Sequence, residues 1–294
     1  MQNDPIMVFG EVLFDQFPDG ALVLGGAPFN VARHLQAFGQ CPQFISRVGD
    51  DMKGHQIRST MQTWDMNLDF LQWDTVLPTG VVEVTIDNGE PSYSILAEQA
   101  YDYIELSKLN TINHSGILYH GTLATRSTLS KQALTSLKAL HKGLVFIDVN
   151  LRQPWWNKAD VLQLISAADW VKLNLDEFRI LFDDESNTRF CMEQSLIKHN
   201  LQGVIVTCGA EGALAVTSSG EFISVAPATS VKLEDTVGAG DAFSAIVLLG
   251  INLGWDFKLT MERAQLFASA ITGQRGATVN DINFYKPFLT AWEL

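Results

Sequence analysis

Three small residues stand directly before a carboxylate in residues 235–243, which read Asp-Thr-Val-Gly-Ala-Gly-Asp-Ala-Phe. Gly238, Ala239 and Gly240 leave their backbone N–H groups uncovered at the start of a predicted helix, whose dipole adds positive potential. That combination is typical of an anion hole. Asp241 follows in the first helical turn, where a carboxylate can accept a proton from a hydroxyl that attacks a bound phosphoryl group. The segment therefore predicts phosphoryl transfer, with an ordinary aspartate helix cap as the alternative.

The helix that follows this carboxylate determines its position and its charge. Residues 242–251 are apolar on nearly every face, so the helix is predicted to be buried at the centre of the protein. Because a helix N-terminus stabilises negative charge, we expect Asp241 to stay ionised and to be a weak base. A weak base suffices, since the transition state of phosphoryl transfer is loose and the proton can leave late.

Motifs of other nucleotide-binding and hydrolytic proteins are absent from the sequence. No Gly-x-x-x-x-Gly-Lys-Ser/Thr segment occurs, which excludes a P-loop enzyme. Phe243 stands where a dinucleotide-binding fingerprint needs its third glycine. Neither Gly-x-Ser-x-Gly nor His-Glu-x-x-His is present, which argues against the hydrolases that carry those motifs.

Short apolar strands alternate with longer amphipathic helices along most of the chain. The strands are predicted at 6–10, 43–48, 117–120, 144–149, 170–173 and 204–207, with a hairpin at 213–225. The helices are predicted at 27–38, 51–64, 127–141, 159–167, 189–199, 242–253, 261–272 and 284–292. This alternation predicts one doubly wound α/β domain over residues 1–294, with a mostly parallel sheet and helices on both of its faces.

Two further segments, 13–24 and 76–104, are predicted to form a small β lid inserted into that domain. Residues 82–86 have β-branched alternation, and Asn88-Gly89 is the turn dipeptide of a two-residue hairpin. The lid contains no lysine or arginine, which argues against a phosphorylated substrate beneath it.

The composition excludes several classes of partner. The chain has 33 acidic and 20 basic residues, a net charge of −13, so we expect no binding to nucleic acid or to an anionic membrane surface. Its apolar runs are far shorter than the roughly 20 residues of a membrane span, and its start lacks the basic region of a secretory signal. Three scattered cysteines predict neither a disulfide framework nor a zinc site, so we expect a cytoplasmic protein.

Six short segments spread over the chain carry a family resemblance. They are 235–243, Gly-Gly-Ala-Pro-Phe-Asn-Val-Ala at 25–32, Gly-Glu-Val-Leu-Phe-Asp at 10–15, Arg-Val-Gly-Asp-Asp at 47–51, Asp-Val-Asn-Leu-Arg at 148–152 and Asn-Leu-Asp-Glu at 174–177. On these segments the chain resembles the ribokinase-like (PfkB) carbohydrate kinases over essentially its whole length, and among them the fructokinases. The resemblance implies a ribokinase-like fold and transfer of the γ-phosphoryl group of ATP to a sugar hydroxyl.

The same resemblance implies a role for individual residues on the sugar side. Asp241 would be the catalytic base, with Gly238, Ala239 and Gly240 as the anion hole. The residues that would bind the substrate are Asp15, Gly25, Gly26, Asn30 and Arg152. Carboxylate and amide groups suit a polyol, and a guanidinium matches a phosphate. Ordinary alternatives remain: turns for the acid and the glycines, and a surface ion pair for the arginine.

On the nucleotide side the resemblance implies contacts with ATP and with cations. The nucleotide-binding residues would be Asn174, Thr207, Gly209 and Gly212, together with Gly238 and Gly240. Glu177 would hold magnesium through water, which suits an ion that keeps most of its hydration shell; its alternative is an ordinary acid in a first helical turn. A potassium ion would be held by the backbone carbonyls of Asp235, Val237, Ile271, Gln274 and Gly276.

Fructose is the first substrate that the resemblance implies. Fructokinases of this family often carry an arginine in the lid where Ala97 stands here, so the identity of the sugar stays open. The alternatives are a kinase for 2-keto-3-deoxygluconate, ribose or a nucleoside, and a catalytically silent sugar- or nucleotide-sensing module. Asp241 and the Asn-x-x-Glu segment argue against the silent module. Lid tyrosines could also form a homodimer contact between two lids.

Overall fold

The computed structural model describes residues 5–87, 90–106, 114–183, 187–227 and 234–294. The Asn88-Gly89 turn predicted for the lid lies outside these residues. Of the helices in the described ranges, none has both the length and the apolar character needed to cross a membrane.

Within the described residues, nine strands form the main sheet, in the spatial order β13-β12-β11-β10-β9-β8-β1-β4-β5. Their bounds are β1 Ile6–Phe9, β4 Gln43–Gly49, β5 Leu71–Asp74, β8 Ile117–His120, β9 Leu144–Asp148, β10 Trp170–Asn174, β11 Gly203–Thr207, β12 Ala213–Thr217 and β13 Phe222–Val225. All neighbouring pairs are parallel except β11–β12 and β12–β13, which form the predicted antiparallel hairpin at the edge. The mostly parallel, doubly wound sheet is confirmed.

Helices cover both faces of this sheet. Their bounds are α1 Ala27–Ala37, α2 Met52–Thr63, α3 Thr128–Leu140, α4 Lys158–Ser166, α5 Leu175–Phe182, α6 Thr188–Lys198, α7 Ala239–Leu253, α8 Phe257–Ile271 and α9 Lys286–Trp292. Side chains of α1, α2, α7, α8 and α9 belong to one hydrophobic cluster, and those of α3 to α6 belong to a second.

The central strand β1 joins these two clusters because its side chains alternate between the faces. Ile6 and Val8 pack in the first cluster, whereas Met7 and Phe9 pack in the second. All four are fully buried, and burial of such a side chain contributes about 1.5–3 kcal/mol. A strand that is apolar at every position is therefore what a sheet covered on both sides requires.

In the ranges that the structure describes, the lid is a separate four-stranded sheet with the order β3-β2-β6-β7. Its strands are β2 Leu13–Gln16, β3 Leu22–Gly25, β6 Gly80–Asp87 and β7 Glu90–Ile95. Both predicted lid segments therefore enter one sheet, in which β2 and β6 are parallel neighbours. Asp51 fixes the base of the lid, since its carboxylate accepts hydrogen bonds from the backbone N–H and the hydroxyl of Thr79, both at 2.8 Å.

Two elements of the main domain escape the sequence prediction. Strand β5 is short and includes the polar residues Gln72 and Asp74, so it lacks an apolar run. Helix α5 begins directly after β10, with Asn174 as its N-cap. The predicted helix at 261–272 is longer at its start, because Asp256 caps α8 by accepting from Leu259 N at 3.1 Å.

Candidate active site

The predicted site residues gather where the sheet changes direction. In the sheet, β4 and β5 lie on one side of β1, and β8, β9 and β10 lie on the other side. Loops at the carboxyl ends of strands that flank such a switch point leave a crevice between them. At this end of the sheet, Thr122 after β8 is hydrogen-bonded to Asn150 after β9, and Asp241 at the start of α7 is hydrogen-bonded to Asn30.

The start of α7 has the open amides that the sequence predicts. Gly238 is its N-cap with φ 78°, and no side chain in the described part of the chain caps the helix. The first intrahelical bond runs from Ala242 N to Gly238 O at 2.9 Å, while Ala239 N makes only a 3.4 Å contact with Thr236 O. A Cβ at Gly238 would lie 2.4 Å from the Cα of Ala277, so only glycine fits the turn. These backbone groups are available to an anion.

Asp241 lies beside these amides and is half-buried. Asn30, at the first turns of α1, donates a 2.8 Å hydrogen bond from Nδ2 to Asp241 Oδ2. Burial is the largest cause that raises the pKa of Asp241 to about 7, and the negative charge of Asp148 adds to it. The sequence-based expectation of an ionised, weakly basic carboxylate is therefore wrong, because desolvation outweighs the helix dipole. A carboxylate with this pKa is a competent general base near neutral pH.

This raised pKa predicts an effect of Asp241→Asn on stability. Between the ordinary value of 3.8 and about 7, the folded protein holds a proton at Asp241 that the unfolded chain has released. The free energy of unfolding therefore falls as pH rises through this window. We expect Asp241→Asn to be more stable than the wild type at pH 8 and to lose this advantage toward pH 5, measured as urea midpoints. An advantage that is equal at both pH values would contradict the raised pKa.

A buried polar network lies beneath α7. Lys172 Nζ and Asp148 Oδ1 form an ion pair at 2.7 Å, and each residue is only 5% exposed. The other carboxylate oxygen accepts from Ser244 Oγ at 2.5 Å and from the Tyr119 hydroxyl at 3.2 Å. Both charges are thus paired, as the cost of burying them requires.

The predicted sugar-binding residues come from the lid and from both sides of the crevice. Asp15 is on β2, and the positive charge of Arg152 acts on its carboxylate from the loop after β9. A Cβ at Gly26, which has φ 108°, would lie 2.7 Å from the backbone oxygen of Glu11. Gly25 lies against Asp15, with 3.7 Å between a built Cβ and Oδ2. The two glycines thus allow the turn before α1 to pack on the loop after β1.

Glu11 is a site residue whose role the sequence does not reveal. It is 2% exposed, its Oε2 has no hydrogen-bond partner among the described residues, and burial raises its pKa to about 7. The negative charge of Asp241 acts in the same direction, and the positive charge of Arg152 opposes it. Glu11 lies between the end of β1 and the first lid strand, β2. An acidic residue at the carboxyl end of a central strand is the sequence signal that could have identified it as a site residue.

Arg126 is a second residue that the sequence analysis misses. It ends a 3₁₀ turn, Leu123–Arg126, after β8. Its guanidinium binds both oxygens of Asp102, at 2.7 and 2.8 Å, and donates to Leu96 O at 2.6 Å. Leu96 directly precedes Ala97, the lid position where many fructokinases carry an arginine. Arg126, from the turn after β8, therefore places a guanidinium next to this position. Its contacts with the lid could not be foreseen from local spacing.

The predicted nucleotide-binding residues lie on the adjacent strands. Asn174 and Thr207 are paired at the ends of β10 and β11. Gly209 is exposed in the loop that follows, whereas Gly212 is buried, with a built Cβ only 1.9 Å from Val225 O. Gly212 therefore has a packing reason for its identity, and its contact with a nucleotide stays a prediction.

Asn174 and Glu177 form a capping box at the start of α5. Glu177 N donates to Asn174 Oδ1 and Asn174 N donates to Glu177 Oε2, both at 2.9 Å. Glu177 Oε1 also accepts from Leu151 N at 2.9 Å. Among the described residues, no group of three or more His, Cys, Asp or Glu side chains could hold a metal ion. A single fixed carboxylate fits a magnesium ion bound mainly by water and phosphate.

The predicted potassium loops are neighbours in the structure. Asp235 N donates to Thr272 O at 3.1 Å, and Gly276 N donates to Asp235 Oδ2 at the same distance. Val237 N donates to Asp235 Oδ1 at 3.0 Å. Ile271 O accepts from Gln274 N at 2.8 Å, within the turn that ends α8. The five residues predicted to bind potassium are thus brought together, next to the anion hole.

Comparison with known proteins identifies relatives over nearly the whole chain. A family model described as pfkB family carbohydrate kinase matches residues 8–283. A fructokinase from Escherichia coli is 32% identical over 263 residues, which cover 84% of this chain and 84% of that protein. Fructokinase-2 from Oryza sativa subsp. japonica is 28% identical, over 84% of this chain and 79% of its own length.

Solved structures give the same result for the fold. A fructokinase from Vibrio cholerae O395 in a fructose-, ADP- and calcium-bound form superposes with a TM-score of 0.83 and 26% identity, over 97% of this chain and 99% of that chain. The apo form of that protein gives a TM-score of 0.79 and 27% identity, over 92% and 97%.

Proposed function

Because the chain belongs to the pfkB family of carbohydrate kinases, it is a sugar phosphotransferase, and we propose that it transfers the γ-phosphoryl group of ATP to a hydroxyl of fructose. The observation that carries this proposal is the position of Asp241, half-buried beside uncapped helix amides and hydrogen-bonded to Asn30. Fructose is proposed because the relatives named above are fructokinases.

In the proposed reaction, ATP lays its terminal phosphates on the amides of Gly238, Ala239 and Gly240. Asp241 takes the proton from the sugar hydroxyl as the hydroxyl oxygen bonds to the γ-phosphorus and the bond to the β-phosphate oxygen breaks. Alignment of the two reactants supplies most of the acceleration, because the transition state is loose. Because the pKa of Asp241 is raised to about 7, its carboxylate can hold the proton that it receives from the sugar hydroxyl.

The nucleotide is proposed to extend from the anion hole along the ends of β10 and β11. Asn174, Thr207, Gly209 and Gly212 would contact it there, and Glu177 would hold magnesium through water. Magnesium would neutralise charge on the phosphates. This neutralisation matters in a protein whose net charge is −13.

On the sugar side, we propose that Asp15, Asn30 and the Gly25-Gly26 turn bind the hydroxyl groups. Arg152 is exposed at the crevice, and within the described ranges its guanidinium makes no ion pair. Its charge acts on Glu11, Asp15 and Asp241 alike. An arginine that faces three carboxylates without pairing to one is placed to bind substrate and transferred phosphate.

A panel of sugars with ATP tests the proposed function directly. Fructose should be phosphorylated faster than ribose, a nucleoside or 2-keto-3-deoxygluconate, as measured by sugar-dependent ADP release. Each sugar is assayed with and without potassium, because we propose a potassium site formed by carbonyls of Asp235, Val237, Ile271, Gln274 and Gly276. If ADP were released faster with a different sugar, that sugar would replace fructose as the proposed substrate. If no sugar caused ADP release, the result would favour the catalytically silent module.

Substitution of Asp15 by alanine is expected to raise the KM for fructose by about 10-fold or more, since a hydrogen bond to a charged group contributes about 1.5–3 kcal/mol. Initial rates over a range of fructose concentrations measure this effect. Asp19→Ala is the matched control, because Asp19 lies in the same lid hairpin and, among the described residues, accepts a hydrogen bond only from Ala21 N. A KM that both variants leave unchanged would remove Asp15 from the sugar site.

The assembly and the location of the enzyme are also proposals. Leu22, Val23 and Tyr93 are 37%, 42% and 54% exposed on the lid sheet, which supports a homodimer through the lids. Three free cysteines support a cytoplasmic location.

A further inference from the structure

The ion pair between Lys172 and Asp148 joins the main sheet to the start of α7. Lys172 is on β10 and Asp148 ends β9, and both lie in the interior. Two buried charges stabilise a fold less well than apolar residues of similar size. A role in the neighbouring site is therefore a better reason for this pair than stability is.

Asp148 is hydrogen-bonded to the second turn of α7, and Lys172 lies close to Gly240 in the first. Ser244 Oγ donates to Asp148 Oδ2 at 2.5 Å and lies 3.1 Å from the carbonyl oxygen of Gly240. A Cβ built on Gly240 would be 3.6 Å from Lys172 Nζ. The pair thus lies against the first two turns of α7, the helix that carries Asp241.

Charges from several elements face Asp241. The ionisable groups are Asp148 on β9, Lys172 on β10, Arg152 in the loop after β9, Glu11 in the loop after β1 and Tyr119 on β8. The neutral amide of Asn30 adds a hydrogen bond from α1. Within the buried pair, Asp148 favours the protonated form of Asp241 and Lys172 favours the ionised form.

We propose that Lys172 and Asp148 are positioning residues for the phosphoryl transfer, which hold the first turn of α7 in place through Ser244 and together set the pH at which Asp241 takes up its proton. This proposal rests on the proposed role of Asp241 as the base. It assigns opposite effects to the two members of one ion pair, which a purely structural role does not do.

The experiment measures the protonation of Asp241 without turnover. Urea unfolding is followed between about pH 5 and pH 9 in pairs of proteins that differ only by Asp241→Asn. The difference in unfolding free energy within a pair reports the pH at which Asp241 is half-protonated in the folded protein. The pairs are made in the wild type and in Lys172→Gln, Asp148→Asn and Ser244→Ala.

We expect Lys172→Gln to move this midpoint up by about 1 pH unit and Asp148→Asn to move it down by a similar amount. Ser244→Ala keeps both charges and should leave the midpoint where it is, so it separates charge from packing. If one of the two charge variants does not fold, the other still tests the proposal, because the direction in which its midpoint should move is specified. Midpoints that stay fixed, or that move in the same direction, would overturn the proposal.

The acidic limb of the kcat profile is the second measurement. It should move in the same directions as the midpoints, with the KM for fructose changed much less than kcat. A wild-type protein that phosphorylates no sugar would refute the proposed function alone, since the unfolding experiment still judges the ion pair. A shifted midpoint with an unmoved kcat profile would refute the positioning role.

Discussion

Asp241→Asn is expected to lower kcat by about 10²–10⁴-fold, because the variant keeps the geometry of the crevice and loses the group that accepts the proton. An asparagine has nearly the same shape and can still accept from Asn30 Nδ2 through its own carbonyl oxygen. The KM for fructose should therefore change little. Initial rates at saturating fructose and ATP measure the loss.

Asp256→Asn is the matched control for this experiment. Asp256 also stands at the start of a helix, but its carboxylate caps α8 by accepting from Leu259 N. Asparagine caps a helix about as well as aspartate, so its kcat should stay close to that of the wild type. Equal kcat values for Asp241→Asn and the wild type would show that the carboxylate of Asp241 accepts no proton in the reaction, and the proposed base would be lost.

Gly238→Ala is expected to lower kcat by about 10²–10³-fold, the loss typical for one group of an anion hole. The added Cβ would lie 2.4 Å from the Cα of Ala277, and the backbone has φ 78°. The turn must therefore move, and the amides that follow it then point away from the phosphate position. Binding of fructose, measured by calorimetry, should weaken much less than kcat falls.

Gly254→Ala provides the control at the opposite end of the same helix. Gly254 also has a left-handed backbone, with φ 67°, but apart from its own helix and chain neighbours no atom of the described residues lies within 4 Å of a built Cβ. This variant should lose about 1–2 kcal/mol of stability from backbone strain alone and keep its kcat. If Gly238→Ala retained kcat while losing stability, its turn would be structural and the amides would not hold the phosphate.

Local pattern was sufficient for the main elements of the fold. Strand β1 is predictable because a strand buried on both faces must be apolar at each position, as Ile6–Phe9 is. Gly238 is predictable because an open helix start needs a residue without a side chain. Helix α5 is harder, since Asn174 and Glu177 fit a capping box and a nucleotide motif at once.

The electrostatics of the site depend on residues that are distant in sequence. Burial is the largest cause that raises the pKa of Asp241; Asp148 and Lys172, which come from two other elements, make smaller contributions of opposite sign. Arg126 likewise reaches Leu96 and Asp102 only once the lid has folded. Neither relation has a signal in the spacing of the sequence, because both depend on contacts between elements that are distant along the chain.

Helix α1 has contacts at both ends of the reaction centre. Asn30 binds Asp241, while His34, one turn later, lies 3.0 Å from Ala277 O, in the segment that packs on Gly238. Arg33 donates to Asn280 Oδ1 at 3.2 Å in the same segment. Because protein interiors are close-packed and transmit strain, we expect a displacement of Asn30 to be passed along α1 to the segment beside Gly238.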